Sequence, residues 1–266
     1  MFKTIASNIN KIMETAEDIS NRVAGSMNKV GNLTWGKHPQ DNPLKDSDEI
    51  KESLNDISSE VTHAGDGHFA SVLLVSPNDS SSPIAAKIGA DEHYHTFVEE
   101  VAMKFNSPED GFPNKHLPRI YSTTSFDSPI GEGHVYCMEE LVPLDGDKFK
   151  ELPEDVQEEM NQQFDHIEII ADKALGDPEW EPTPERLVEA LDSLSLDTTN
   201  TLAEIIESQQ KNDVLLDMGK SNVMARISED KQSADLVMMD PFWNGVDEAP
   251  GFSEEPDAEQ EEEMSR

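Results

Sequence analysis

Apolar residues at Ile5, Ile9, Ile12, Ala16, Ile19 and Val23 recur at alternating four- and three-residue steps. That spacing predicts a helix over residues 2 to about 29 with one apolar seam, within a segment 1–30. The seam packs on the body of the protein or, as the alternative, pairs with a second copy through about three heptads to make a homodimer. Gly31, Gly36, Pro39 and Pro43 then break the periodicity, and residues 31–59 read as a linker. Apolar runs at Ser71–Val75, Ile84–Ile88 and His134–Leu141 predict strands, and Thr96–Phe105, with apolar residues at 97, 98, 101 and 105, predicts a helix. Residues 151–192 carry 14 acidic and 2 basic residues, yet Val156, Met160, Phe164, Ile167 and Ile170 keep helical spacing. Two helices with a solvated acidic face are expected there, broken between Gly176 and Pro184, the latter suited to the first turn of the second helix. Thr201 to about Gln210 predicts a further helix burying Leu202, Ile205 and Ile206, with a turn at Asn212-Asp213. Val223–Arg226 and Leu236–Met239 predict a hairpin. From Ser253 the tail has seven acidic residues and one arginine, too little apolar surface to offset the entropy of ordering.

Charge changes the picture of partners. The formal net charge is −36 at pH 7, so a phosphate backbone is repelled and direct nucleic-acid binding is not expected. Basic proteins, including nucleic-acid-binding ones, are attracted; solubility or a salty milieu explains the same charge equally well. Cys137 is the single cysteine and lies in an apolar run, which excludes an internal disulfide and a cysteine-rich metal site and suits a reducing cytoplasm. Lys3, Asn8, Asn10, Lys11 and Glu14 interrupt the apolar positions of the first thirty residues, unlike a signal peptide. No apolar run approaches the ~20 residues that cross a bilayer, so a soluble protein without a membrane partner is expected.

The candidate chemistry centres on Asp217-Met218-Gly219-Lys220-Ser221-Asn222, followed across the predicted hairpin by Asp240-Pro241-Phe242. Two carboxylates and an amide brought together can hold magnesium and a nucleoside triphosphate. Phosphoryl transfer asks mainly for such positioning and charge neutralisation. Asp and Asn are common in turns, so this pattern alone is weak. Upstream, Gly65-Asp66-Gly67-His68-Phe69-Ala70-Ser71-Val72 reads as a glycine-rich hairpin. There Gly65 and Gly67 let backbone amides approach anionic oxygens, and Val72 is set to lie flat on a base. Lys87 stands alone in the apolar run Ile84-Ala85-Ala86-Lys87-Ile88, where an unpaired ammonium is costly. Phosphate oxygens and a carboxylate from the next helix would account for it; Glu100 is the first candidate and Glu99 the reserve.

Glycine loop, strand lysine, helix glutamate, linker, Asp-x-x-x-x-Asn and Asp-Pro-Phe, in that order over about residues 60 to 245, resemble the protein kinase superfamily. The details Gly-Asp-Gly-His-Phe-Ala, Asp-Met-Gly-Lys-Ser-Asn-Val-Met and Asp-Pro-Phe-Trp are most similar to the small serine/threonine kinases of short-tailed bacteriophages. The resemblance implies an α+β, two-lobed fold with a small β-rich N-lobe at 60–142 and a reduced, mainly helical C-lobe at 143–250, followed by an acidic tail at 251–266. It implies ATP and Mg2+ as cofactors and host proteins, met in the host cytoplasm, as substrates. Gly65, Gly67, Phe69, Val72, Lys87, Met138, Glu139, Leu141 and Asp145 would line the ATP site, with Met138 as back wall, Glu139 to Leu141 as linker and Asp145 on the ribose. Lys87 would pair with the phosphates and Glu100, Asp217 would act as base, and Asn222 and Asp240 would hold the metal. Lys220 is one position later than the usual catalytic-loop lysine. Leu215-Leu216 replaces the usual His-Arg and Pro241-Phe242 replaces Phe-Gly, which removes the usual phosphate receiver and stiffens the segment after the metal aspartate. A small-molecule kinase of aminoglycoside type and a non-catalytic acidic interaction protein, whether pseudokinase or decoy, are the alternatives.

Overall fold

The structure, a computed structural model, describes residues 2–30, 48–66, 70–80, 82–128, 131–176 and 182–243. Gly67, Phe69, the first part of the predicted linker and the acidic tail lie outside the described residues. Helix α1 (Phe2–Val30) carries the predicted seam, and its Ala16, Ile19, Val23 and Met27 are buried. They pack on one face of a five-stranded antiparallel sheet built from β1 (Ser58–Asp66), β2 (Ala70–Pro77), β3 (Ile84–Gly89), β4 (Ile120–Ser128) and β5 (Gly131–Glu139). The strand order is β1-β2-β3-β5-β4. Part of the expected linker is instead a short helix, α2 (Asp48–Leu54), because Ile50 and Leu54, four residues apart, insert beside α1 into the same apolar layer. Arg22 on α1 ties the two together through Ser53 O and Asp56.

The other face of the sheet belongs to a larger core shared with the C-terminal half. Alternation along β3 divides its side chains accordingly. Ile84, Ala86 and Ile88 point to the α1 layer, while Ala85 and Lys87 point away from it. The helix after β3 starts at Asp91, whose carboxylate caps the amides of His93 and Tyr94. It runs as α3 (Glu92–Phe97), passes through a π turn at Val98–Ala102, and ends as α4 (Met103–Phe105).

Past β5 the chain enters β6 (Val142–Pro143) and α5 (Asp147–Lys150), then the helices α6 (Glu154–Leu175), α7 (Pro184–Ser193) and α8 (Leu196–Asn212). Thr183 caps α7 ahead of Pro184, and α8 begins five residues before the predicted start because Ser195 caps it there. Asp213, with φ 53°, closes α8 in the left-handed conformation and turns the chain into β7 (Leu215–Leu216). The predicted hairpin is β8 (Val223–Ile227) with β9 (Ala234–Met238), and β6 extends it to three strands. Finally β10 (Phe242–Trp243) pairs antiparallel with β7. Among the described residues, no helix is long and apolar enough to cross a membrane.

Candidate active site

Between the five-stranded sheet and the β7–β10 region lies a cleft of about 760 Å³, within the range of small-molecule sites. Gly65, Val72, Lys87, Met138, Glu139, Leu141, Asp217, Asn222 and Asp240 all line it. They come from five separate stretches of chain. Its apolar part is formed by Ala70, Val72, Leu74 and Ala85 from the sheet, with Met224 and Met239 from the hairpin. The two methionines carry no sequence signal beyond their places, two residues after Asn222 and one before Asp240.

The polar end is built by local pairing. Asp217 N donates to Pro241 O at 2.8 Å, an addition to the β7–β10 ladder that fixes the aspartate beside the segment holding Asp240. Asn222 O accepts from Met239 N at 2.8 Å and Asp240 N at 3.3 Å, so the hairpin brings Asn222 and Asp240 face to face. Asn222 Nδ2 donates to Asp217 O at 3.1 Å, which directs the amide by its nitrogen and leaves its oxygen to accept a hydrogen bond or coordinate a cation. Asp217 itself is exposed, its Oδ1 accepting from Gly219 N at 3.3 Å.

Lys87 is buried, and its ammonium reaches Asp240 Oδ2 at 2.5 Å. The same nitrogen lies 3.3 Å from the centroid of the Tyr94 ring. Asp240 Oδ1 is enclosed and is the one buried side-chain polar atom with no hydrogen-bond partner among the described residues. Burial pushes the Asp240 carboxyl up, and Lys87 offsets this only in part. Such an orphaned carboxylate oxygen suits a hard divalent cation. No cluster of three or more His, Cys, Asp or Glu side chains with metal-binding geometry occurs among the described residues.

Three sequence expectations are corrected. Glu100 does not meet Lys87: its carboxylate takes Lys211 at 2.6 Å, Asn212 at 2.9 Å and Ser208 at 3.3 Å, all on α8, and its carboxyl is held down chiefly by Lys211. Phe97, Val98, Val101 and Ala102 form the buried face of this helix, and Glu100 lies off that face, where α8 meets the helix. Glu99 is no substitute, since it lies 3.5 Å from His95 on the exposed side. Lys220 points away from the cleft toward the ring of Phe164 on α6, 5.7 Å from its centroid. Asp145 is exposed and outside the cleft lining; Gly146 and Asp147, at the start of α5, take that place.

Behind the linker, Glu139 is buried and its carboxylate is bound by the Arg226 guanidinium, with Arg119 3.8 Å away. Arg226 also donates to Lys115 O and Leu117 O. Glu139 therefore contributes to the cleft through its position at the end of β5, while its charge is spent on the scaffold. Cys137, on the α1 side of the same strand, is buried and its thiol is pushed up to about 12, so it stays protonated.

No protein-family model matches the chain, and no curated protein matches it in sequence. Among solved structures, a double-mutant form of the PknI kinase domain of Mycobacterium tuberculosis aligns over 69% of this chain at 13% identity, with a TM-score of 0.31. The aligned part spans 60% of that kinase domain. The similarity is weak, and the residue roles below rest on the cleft itself.

Proposed function

We propose that the chain is a magnesium- and ATP-dependent protein kinase that phosphorylates serine or threonine hydroxyls. The observation that carries this reading is the convergence of Lys87, Asp217, Asn222 and Asp240 on one cleft, with Asp240 Oδ1 lacking a partner among the described residues. The adenine fits the apolar part between Val72 and Ala85 on one side and Met224 and Met239 on the other. Met138 forms the back wall. Glu139 N is committed to Arg119 O at 3.2 Å, so the backbone of Glu140 and Leu141 is left to bond the base edge.

Asn222 and Asp240 would hold magnesium through oxygen. The bound ion supplies neutralisation of the triphosphate charge during transfer. Lys87 would meet the phosphate oxygens. Asp217, exposed at the mouth and two residues before Gly219, orients the acceptor hydroxyl and accepts its proton. A positioned base of this type contributes about 10²–10⁴ in rate. The acidic surface favours basic protein acceptors by long-range attraction, and a bacteriophage enzyme acting on host proteins is the setting that the motif details suggest.

Purified protein incubated with labelled ATP, magnesium and a mixed protein lysate tests the assignment. Wild type should label proteins on serine or threonine, and Asp217→Ala and Asp240→Ala should not. Label transfer persisting in both variants rejects the assigned chemistry. No transfer by wild type, despite measurable binding of a basic partner, supports the non-catalytic reading instead.

A further inference from the structure

Lys87 raises a problem of charge. Its side chain is 9% exposed, and within the described residues its ammonium has one carboxylate within contact, that of Asp240. If Asp240 turns to a metal ion, the ammonium keeps the phosphate oxygens of the nucleotide as anionic partners but loses the carboxylate that held it in place from the protein side. A buried cation in that position needs a second partner that does not compete for the metal.

Tyr94 is built to be that partner. It sits in the first turns of α3, fully buried, with the face of its ring 3.3 Å from Lys87 Nζ. The ring cannot easily tilt away. Tyr136 meets it edge-on at 4.9 Å between centroids, Phe97 lies at 6.1 Å, and its hydroxyl reaches Met138 Sδ at 3.9 Å. Burial, with Asp240 adding to it, keeps the phenol protonated far above the ordinary range, so Tyr94 acts as a neutral π face and never as a competing anion. The glutamate that the resemblance assigns to this work, Glu100, is fastened to α8 by Lys211, Asn212 and Ser208. Those bonds also hold the helix that carries Tyr94 against the C-terminal half.

We propose that Tyr94 is the positioning residue for Lys87: its ring face retains the ammonium in the cleft when Asp240 passes from the lysine to magnesium. The proposal rests on the kinase reading of the cleft and adds to it a carboxylate-free lysine anchor. Ammonium–ring contacts are strongest where water is excluded. Once Asp240 is shared with the metal, the ring is what holds the ammonium from the protein side and keeps it aimed at the phosphates. Losing it weakens magnesium–nucleotide binding without removing any group that touches the nucleotide phosphates.

A double-mutant cycle on the affinity for magnesium–ADP isolates this effect. In the Lys87 background, Tyr94→Phe should bind within about twofold of wild type and Tyr94→Leu about tenfold more weakly. On a Lys87→Met background, Tyr94→Leu should cost less than about twofold. Equal losses in both backgrounds overturn the proposal, because they would mark Tyr94 as scaffold only. A second measurement needs no variant: the Lys87 side-chain methylene NMR signals should be displaced upfield by the ring current, and should remain so when magnesium–ADP is added. A displacement that is absent, or that vanishes with nucleotide, also overturns it. Wild type that shows the displacement but binds no magnesium–ADP counts against the kinase reading underneath, so the two failures are separable.

Discussion

Replacing Lys87 by methionine keeps most of the side-chain volume and removes the charge that Asp240 faces. Asp240 is 23% exposed at its side chain, and one of its oxygens is already enclosed with no hydrogen-bond partner among the described residues. In the variant the carboxyl must either stay charged without its cation or take up a proton. Protonation costs about 1.36 kcal/mol for each pH unit above an unfolded value of about 3.9, hence about 1.5 kcal/mol at pH 5 and about 5.6 kcal/mol at pH 8. Breaking a buried pair costs about 3–5 kcal/mol. At pH 8 that smaller penalty applies, at roughly 3 kcal/mol because the carboxylate keeps some access to water. At pH 5 the proton is the easier route and the loss is limited to about 1.5 kcal/mol. The sign follows from linkage. Asp240 in the fold is already pushed up by burial, and loss of Lys87 raises it further. The folded state then binds the proton more tightly than the unfolded chain, and stability falls as pH rises above the unfolded value. At about 2–4 °C per kcal/mol for a domain of this size, Lys87→Met should melt about 6–12 °C below wild type at pH 8 and about 3–6 °C below it at pH 5. Thermal scans of both proteins at the two pH values read this directly. Equal losses at both, or a variant as stable as wild type at pH 8, would refute the buried Lys87–Asp240 pairing.

Glu100→Gln should leave magnesium–nucleotide affinity within about twofold of wild type and cost about 0.5–1 kcal/mol in urea unfolding, since its partner Lys211 is exposed. A large loss of affinity would restore Glu100 to the cleft. Arg226→Met should cost about 3–5 kcal/mol in the same assay, because it takes the guanidinium away from the buried Glu139 carboxylate and from Lys115 O. Ile19→Ala should cost about 2–4 kcal/mol by opening a cavity between α1 and the sheet. The same burial predicts that the α1 seam does not hold two copies together, and sedimentation of the wild type showing a dimer dissolved by Ile19→Ala would contradict that.

Much of the architecture was legible because it depends on local periodicity. The α1 seam, the alternation of β3 around Lys87 and the Asn222–Asp240 hairpin each follow from side-chain spacing within one or two elements. Which of its two uses the α1 seam serves was not legible, because that depends on an apolar sheet face assembled from five strands. The short helix at 48–54 was hidden by the Gly- and Pro-rich stretch before it, and only the layer under α1 gives Ile50 and Leu54 a reason to be helical. In the site, Asp217, Asn222 and Asp240 could be found from residue type and spacing. Glu100 could not be placed, because its partners Ser208, Lys211 and Asn212 lie on α8, more than a hundred residues further along the chain. Tyr94 was missed for a related reason: an aromatic residue beside a charged one gives no hint, in sequence, that its ring lies under an ammonium. Lys220 follows the apolar face of α6 through Phe164, a contact between residues 56 apart.

The central claim is that one cleft gathers Lys87, Asp217, Asn222 and Asp240 around a metal-bound nucleotide. Calorimetric titration of ATP into the wild type and into Asp240→Ala, each with magnesium and with a chelator, measures it most directly. The account predicts wild-type binding that strengthens with magnesium, and a variant whose residual binding is the same with and without the ion. Binding that is indifferent to magnesium in the wild type, or an Asp240→Ala variant that responds to magnesium as the wild type does, would contradict it.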